Sequence, residues 1–521
     1  MKIGFLSLGC PKNLVDGEVM LGIAREAGHE ITQDSNAADV LVVNTCAFID
    51  NAKEESINAI LEMAALKAQG TGKRLVVTGC LAERYRDELR KEIPEIDAVL
   101  GTGEVPGILD AIETRGSGLG ARESEDSDLA PSETSAAVPL RFFGATSKPG
   151  AASERRAPSP EPRLPAVARS AKVGAPALPT YIYDADTPRL ITTPRHFAYV
   201  KVAEGCDYTC AFCIIPTLRG SYRSRAVESI VREARMMAER GVRELLLISQ
   251  DTSFFGIDRG ERGQLARLLR ELDAIDGLHW IRLLYLYPTT ITDDVLDAMA
   301  ECEKVCRYVD LPLQHASADV LRRMRRPGNR RTYDRLLARI RARVPGVTLR
   351  TTFIVGFPGE TEADFAELEA FVQDTGFDHV GVFTYSHEDG TRAFALPDDV
   401  PARVKRKRRE ALMSRQKRIV AAAQKRRLGS EVTVMIDGPS TEHELVLQGR
   451  TEGQAPEIDA VVYLTDCDPE LYRPGDLIRA EIVASRDYDL VAAPVRVPVE
   501  GERARTGARA SAANEPPARQ P

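Results

Sequence analysis

No run in this 521-residue chain is apolar for long enough to cross a bilayer. The longest, such as LLLIS and VLVVN, fall far short of the roughly 20 residues a spanning helix needs, and no membrane partner is expected. The opening residues, MKIGFLSLGCPKN, lack the pattern of a cleaved secretory signal, so the expected location is cytoplasmic. In that reducing compartment the nine cysteines point to metal or redox chemistry rather than disulfides. Compositional bias is also missing: 43% hydrophobic and 28% charged residues describe an ordinary globular chain. The net charge of -7 averages over segments of opposite sign. The length itself excludes a single core, and about three domains are expected.

Residues 1–114 contain three similar units, each a β-rich run followed by a helical pattern. The runs are KIGFLSLG, DVLVVNT and KRLVVTG, and such alternation predicts a parallel α/β sheet. Cys10, Cys46 and Cys80 each stand directly after a run. They are therefore expected at the carboxyl ends of neighbouring strands, where open α/β sheets hold ligands. Residues 115–180 hold nine prolines and few large apolar side chains, so a disordered insertion is expected there.

Strand and helix alternation resumes over 181–428, with strand candidates FAYVKVAEG, ELLLIS, WIRLLYLY, YVDLPLQ, TLRTTFIVG and HVGVFTYS. Six such units predict a partial or complete β/α barrel with its chemistry at the carboxyl ends of the strands. A basic helix around VKRKRREALMSRQKR closes this region. Short alternating strands over 429–499 predict a small all-β barrel. Residues 430–499 carry 14 acidic and 5 basic side chains, a net charge of -9. Residues 500–521 are expected to form a disordered tail.

The segment VAEGCDYTCAFCIIP spaces Cys206, Cys210 and Cys213 as C-x3-C-x2-C. A closed zinc site wants a fourth ligand, usually from a second cysteine pair or nearby histidines. None is close, since His196 lies ten residues upstream of Cys206. Three thiolates without a fourth suit a 4Fe–4S cluster that leaves one iron open.

This spacing resembles the signature of the radical S-adenosylmethionine (SAM) superfamily. The resemblance implies that the open iron chelates SAM and that one electron from the cluster yields a 5'-deoxyadenosyl radical. It extends to TTFIVGFPGET, where Gly356, Gly359 and Glu360 follow a strand as in the family's cofactor-binding motif, although the same residues also read as a turn and a helix start. Gln250, at the end of LISQ, is a further candidate for SAM contact. SLGCPKN, VNTCAFI and VTGCLAE resemble the amino-terminal domain of the methylthiotransferase family. That likeness implies a second three-cysteine 4Fe–4S cluster on Cys10, Cys46 and Cys80, and a carboxy-terminal barrel of the TRAM type.

Within the family, LGCPKNLVDGE, LISQDTSFFG and LPLQHAS resemble the branch that modifies an aspartate of a ribosomal protein. Pro11 and Lys12 stand where the transfer RNA branch usually has Gln and Met-Asn. The branch implies methylthiolation of the β-carbon of an aspartate in small-subunit protein uS12, with a reductant such as flavodoxin or ferredoxin. The acidic barrel agrees, because it would repel phosphates and attract a basic protein. Nucleic acid contact is then expected only through the ribosome. The alternatives are a transfer RNA adenosine methylthiotransferase and a non-enzymatic iron–sulfur protein of ribosome assembly or electron transfer. Other residues have structural readings beside functional ones: Gln314 and His315 in LPLQH, Arg223 and Arg225 in SYRSR, Cys467, and the pair Cys302 and Cys306, expected on one face of a helix.

Overall fold

The computed structural model describes residues 1–69, 73–114, 178–440 and 445–495. The expected insertion, apart from residues 178–180, and the expected tail lie outside the described residues. The chain splits into two compact units, Met1–Gln416 and Lys417–Pro521.

The first unit opens with β1 (Lys2–Ser7), α1 (Pro11–Glu26), β2 (Glu30–Thr32), β3 (Val40–Thr45), α2 (Asp50–Gln69), β4 (Arg74–Gly79), α3 (Cys80–Arg84), α4 (Arg86–Glu92), β5 (Ala98–Leu100) and α5 (Ile108–Glu113). The strands pair in parallel in the order β2-β1-β3-β4-β5. Every residue of β3 is buried, as expected of a central parallel strand covered on both faces. β2 and β5 have only three residues each, too short for periodicity to reveal, and the sequence reading missed them. The predicted helix AERYRDELRKE breaks at Tyr85, whose φ of -130° leaves the helical region and separates α3 from α4.

The same unit continues through β6 (Phe197–Lys201), β7 (Ala203–Glu204), α6 (Ile215–Arg219), β8 (Arg223–Ser224), α7 (Val227–Glu239), β9 (Glu244–Ile248), α8 (Gln264–Asp273), β10 (Trp280–Leu283), α9 (Asp293–Glu301), β11 (Tyr308–Asp310), α10 (Ala318–Arg323), α11 (Arg330–Arg343), β12 (Thr348–Val355), α12 (Glu362–Thr375) and β13 (His379–Thr384). All six expected strands are present, as parallel trios β10-β9-β6 and β11-β12-β13. A parallel bridge between Ile281 and Val305 joins the trios, and no ladder joins β13 to β6 among the described residues. The architecture is thus a partial barrel of six strands. Cys302 ends α9 in extended backbone, and Cys306 donates its N–H to Ile281 O. The expected helical pairing of these cysteines is therefore corrected: the chain leaves the helix to pair with β10.

α6 explains why the two parts form one unit. Leu218, on this helix, and Ile214, just before it, pack into the apolar core of the first sheet with Leu81, Ala82 and Val77. Helix α13 (Ala402–Arg427) carries the expected basic run. In the second unit β14 (Glu431–Pro439), β15 (Leu447–Arg450), β16 (Val462–Leu464), β17 (Leu477–Arg486) and β18 (Asp489–Pro494) form a closed barrel. Val434, Ile436, Val462, Ile482 and Leu490 fill it. Among the described residues no helix is long and apolar enough to cross a membrane.

Candidate active site

Three neighbouring strands lead into cysteines. Cys10 caps α1 just beyond β1, and the preceding Gly9 adopts a φ of +91°. A Cβ on Gly9 would lie 2.6 Å from Cys46 Cβ, so the missing side chain brings the ends of β1 and β3 together. Cys46 follows β3, donates its N–H to Ser56 Oγ at 3.0 Å, and accepts the Ser56 hydroxyl at its carbonyl, also at 3.0 Å. Cys80 opens α3 straight after Gly79, whose φ is +94°. Burial, then the neighbouring Cys80 and Cys10, push the Cys46 thiol up to about 12. Burial also raises Cys80, against the pull of Arg219. The three sulfurs thus share one small region at the carboxyl edge of the sheet.

The second triplet follows β6 and β7. Gly205, at φ +88°, turns the chain, and Cys206 N–H donates to Gly220 O at 3.0 Å. Cys213 N–H donates to Cys210 O at 3.2 Å, which closes the cysteine loop. Burial pushes Cys206 up to about 11 and Cys213 up to about 12, with Cys210 adding to both. Arg326 places Nη1 3.9 Å from Cys210 Sγ, with its guanidinium over the Tyr287 ring. Tyr208, inside the cysteine loop, stacks on Tyr287 at 3.9 Å and donates to Asp251 at 2.8 Å.

Between the triplets lies a buried charge network absent from the sequence reading. Lys201 pairs with Asp16 at 2.5 Å and also with Glu204. Arg219 pairs through Nη1 with Asp16 at 2.9 Å and Glu204 at 3.0 Å, and its Nη2 donates to Cys80 Sγ at 3.5 Å. Burial opposes the charge on Glu204, yet Arg219 and Lys201 hold its carboxyl far below the usual range. The available signal was proximity: Asp16 lies six residues after Cys10, Glu204 two before Cys206, and Arg219 six after Cys213. Lys12 is buried nearby, and burial pushes its ammonium down to about 8.

The remaining candidates fall into two groups. Gln250 follows β9, donates to Glu204 at 2.5 Å, and leaves its Oε1 buried without a partner. Gly356 follows β12 at φ +75°, with the Lys405 side chain in the space a Cβ would take. Gly359 donates to Asp399 at 2.7 Å. Glu360 accepts the N–H groups of Gly356 and Phe357 and pairs with Arg408 at 2.9 Å, which closes its own loop. His315 accepts from Ser317 N–H at 3.0 Å, a structural bond. Arg225 pairs with Glu233 at 2.6 Å, and Arg223 donates to backbone carbonyls. Cys467 packs at the edge of the barrel core.

Among the described residues no three His, Cys, Asp or Glu side chains gather closely enough to hold a single metal ion. A 4Fe–4S cluster makes a different demand, since each thiolate ligates a separate iron. Two groups of three soft donors fit that demand. The orphaned Gln250 Oε1 fits a hydrogen-bond donor on a bound cofactor.

The family described as Uncharacterized protein family UPF0004 matches residues 2–101, the Radical SAM superfamily residues 200–372, and the TRAM domain residues 428–495. A protein of Koribacter versatilis called Ribosomal protein uS12 methylthiotransferase RimO is 48% identical over 495 residues, covering 94% of this chain and 96% of its own. A Trichlorobacter lovleyi protein of the same name is 43% identical over 491 residues, covering 94% and 97%. A solved structure of the radical SAM methyltransferase TsrM from Kitasatospora setae, with cobalamin and a 4Fe–4S cluster bound, has a TM-score of 0.47 at 16% identity over 74% of this chain and 72% of that one. SAM and a 4Fe–4S cluster are the cofactors of the radical SAM superfamily, and the Radical SAM match spans Cys206, Cys210 and Cys213. The chain is a radical SAM enzyme and belongs to the ribosomal protein uS12 methylthiotransferase RimO family.

Proposed function

We propose that this chain adds a methylthio group to the β-carbon of an aspartate in uS12. Cys206, Cys210 and Cys213 would hold one 4Fe–4S cluster, the one that works with SAM. Cys10, Cys46 and Cys80 hold a second. The names of the relatives support the substrate. The observation that carries the two-centre reading is the buried contact from Arg219, six residues past Cys213, to Cys80 Sγ. When bound, SAM and a reduced cluster supply one-electron chemistry strong enough to remove hydrogen from an unactivated carbon.

The chain's own residues position and enclose that chemistry. Asp16, Lys201, Glu204 and Arg219 fix the two triplets relative to each other and neutralise one another's charge. Gln250 and the loop holding Gly356 and Gly359 lie at the carboxyl ends of β9 and β12, where they would meet SAM, and Glu360 keeps that loop in shape. Domain limits of 1–114, 181–428 and 429–499 belong to the same proposal, as do a cytoplasmic location and a flavodoxin or ferredoxin reductant.

The test is anaerobic reconstitution followed by reaction with SAM, dithionite, sulfide as the sulfur source and either uS12 or transfer RNA. Mass spectrometry should find one methylthio group in place of hydrogen on uS12. Modified transfer RNA beside unmodified uS12 overturns the substrate. Replacing either cysteine triplet by alanine should remove half the iron, and a triplet whose loss leaves iron unchanged is not a cluster site.

A further inference from the structure

The geometry points to Lys12 as the residue that binds the β-carboxylate of the substrate aspartate. This rests on the uS12 reading above and extends it to one side-chain contact. Lys12 stands in the first turn of α1, two residues past Cys10, and is only 7% exposed. Its Nζ lies over the Tyr285 ring, 3.0 Å from the centroid. Tyr285 follows β10 with a φ of +61°, and its N–H is held by Asp310 Oδ2 at 2.9 Å. The lysine therefore reaches from the edge of the first sheet to the carboxyl ends of the barrel strands.

Side-chain pairing leaves this ammonium over. Asp16 and Glu204 are matched by Lys201 and Arg219. Asp310 pairs with Arg350 at 2.9 Å. Among the described residues Lys12 enters no hydrogen bond or ion pair; its direct contact is the face of Tyr285, with Cys10, Glu204 and Asp310 attracting it at longer range. A cation–π contact replaces only part of the hydration lost on burial. A buried cation in this setting gains most from an arriving anion.

The chemistry of the substrate suits this contact. An ammonium offers three donors and no acceptor, so it rewards a carboxylate over the isosteric amide. Methylthiolation changes the β-carbon and leaves the adjoining carboxylate intact. A carboxylate held at Lys12 keeps the reacting carbon one bond from a fixed point, close to Cys10 and to the carboxyl end of β10, before and after the reaction.

The experiment measures binding of the reconstituted holoenzyme to intact uS12 and to uS12 with its target aspartate replaced by asparagine, with iron content followed in parallel. The wild type should prefer the aspartate form by about tenfold or more, the strength of a hydrogen bond to a charged group. Lys12→Met keeps the stem over Tyr285 and should reduce the preference to about one while asparagine-form binding and iron stay unchanged. Lys12→Arg should keep a preference. A full preference in Lys12→Met overturns the proposal, as does an equal loss of affinity for both forms. Loss of iron in both Lys12→Met and Lys12→Gln overturns it in favour of a role in holding the first cluster. A wild type that binds uS12 without distinguishing the two forms also overturns it. Only a wild type that binds neither form removes the uS12 reading as well.

Discussion

Arg219 donates through Nη2 to Cys80 Sγ across 3.5 Å, although 139 residues separate them. Its Nη1 meanwhile serves Asp16 and Glu204. One guanidinium thus joins a thiol of the first triplet to the helix that follows the second. Replacing Arg219 by alanine leaves two buried carboxylates with Lys201 as their one ion-pair partner. The expected loss is about 3–5 kcal/mol, as for other broken buried pairs. Urea unfolding of the metal-free chain measures it, with Arg219→Lys recovering part. A loss within the scatter of surface mutants would mean that the network contributes nothing to holding the two parts together.

Gly9→Ala tests whether the first triplet depends on close strand ends. The new Cβ would meet Cys46 Cβ at 2.6 Å, and the φ of +91° disfavours any side chain. The strain is about 1–3 kcal/mol, and relief requires Cys10 and Cys46 to separate. Iron should fall toward half while the second cluster keeps its electron paramagnetic resonance signal. Full iron in Gly9→Ala would show that the site tolerates wider spacing.

Why were the cysteines legible in sequence and the charge network not? Cys10, Cys46 and Cys80 occupy equivalent places in three repeated units, and strand order then brings them together. Cys206, Cys210 and Cys213 are local. The six barrel strands lie in longer runs, even the three-residue β11 within YVDLPLQ, whereas β2, β5 and β16, also of three residues, were not picked out. Asp16, Lys201 and Arg219 form their pairs across 185 and 203 residues, a relationship that only the folded chain displays. Lys12 was visible as a motif residue, but its burial over Tyr285 was not.

Glu360 and His315 approach to 3.8 Å and should oppose each other as pH changes. Burial pushes the Glu360 carboxyl up to about 7 against the pull of Arg408. The folded chain then holds a proton that the unfolded chain releases, so this contribution is full below 4.5 and is lost as pH rises toward 7. Burial pushes His315 down to about 3, so its contribution is full above 6.5 and is lost as pH falls toward 3. Glu360→Gln should expose the histidine slope, with the urea midpoint climbing more steeply from pH 4.5 to 6.5 than in the wild type. His315→Gln should expose the opposite slope. Parallel profiles for all three proteins would sink the opposition.

The acidic barrel gives a prediction about encounter rather than chemistry. Asp466, Asp468 and Glu470 are all exposed between β16 and β17, and among the described residues none forms an ion pair. Asp468 does accept the N–H of Glu470 at 3.0 Å, a bond that asparagine can replace. A basic protein approaching this face is steered by unscreened negative charge, and steering of this kind raises association rates by roughly 10–1000-fold at low salt. The triple variant Asp466→Asn, Asp468→Asn, Glu470→Gln should therefore associate with uS12 about tenfold more slowly at low ionic strength. The difference should vanish at 1 M salt, where the screening length is about 3 Å. Dissociation rates should change little, because exposed charges act on encounter more than on the docked complex. Stopped-flow measurement across a salt series decides the matter. If variant and wild type associate equally fast at low salt, the acidic loop is a solvated surface and uS12 is recognised elsewhere.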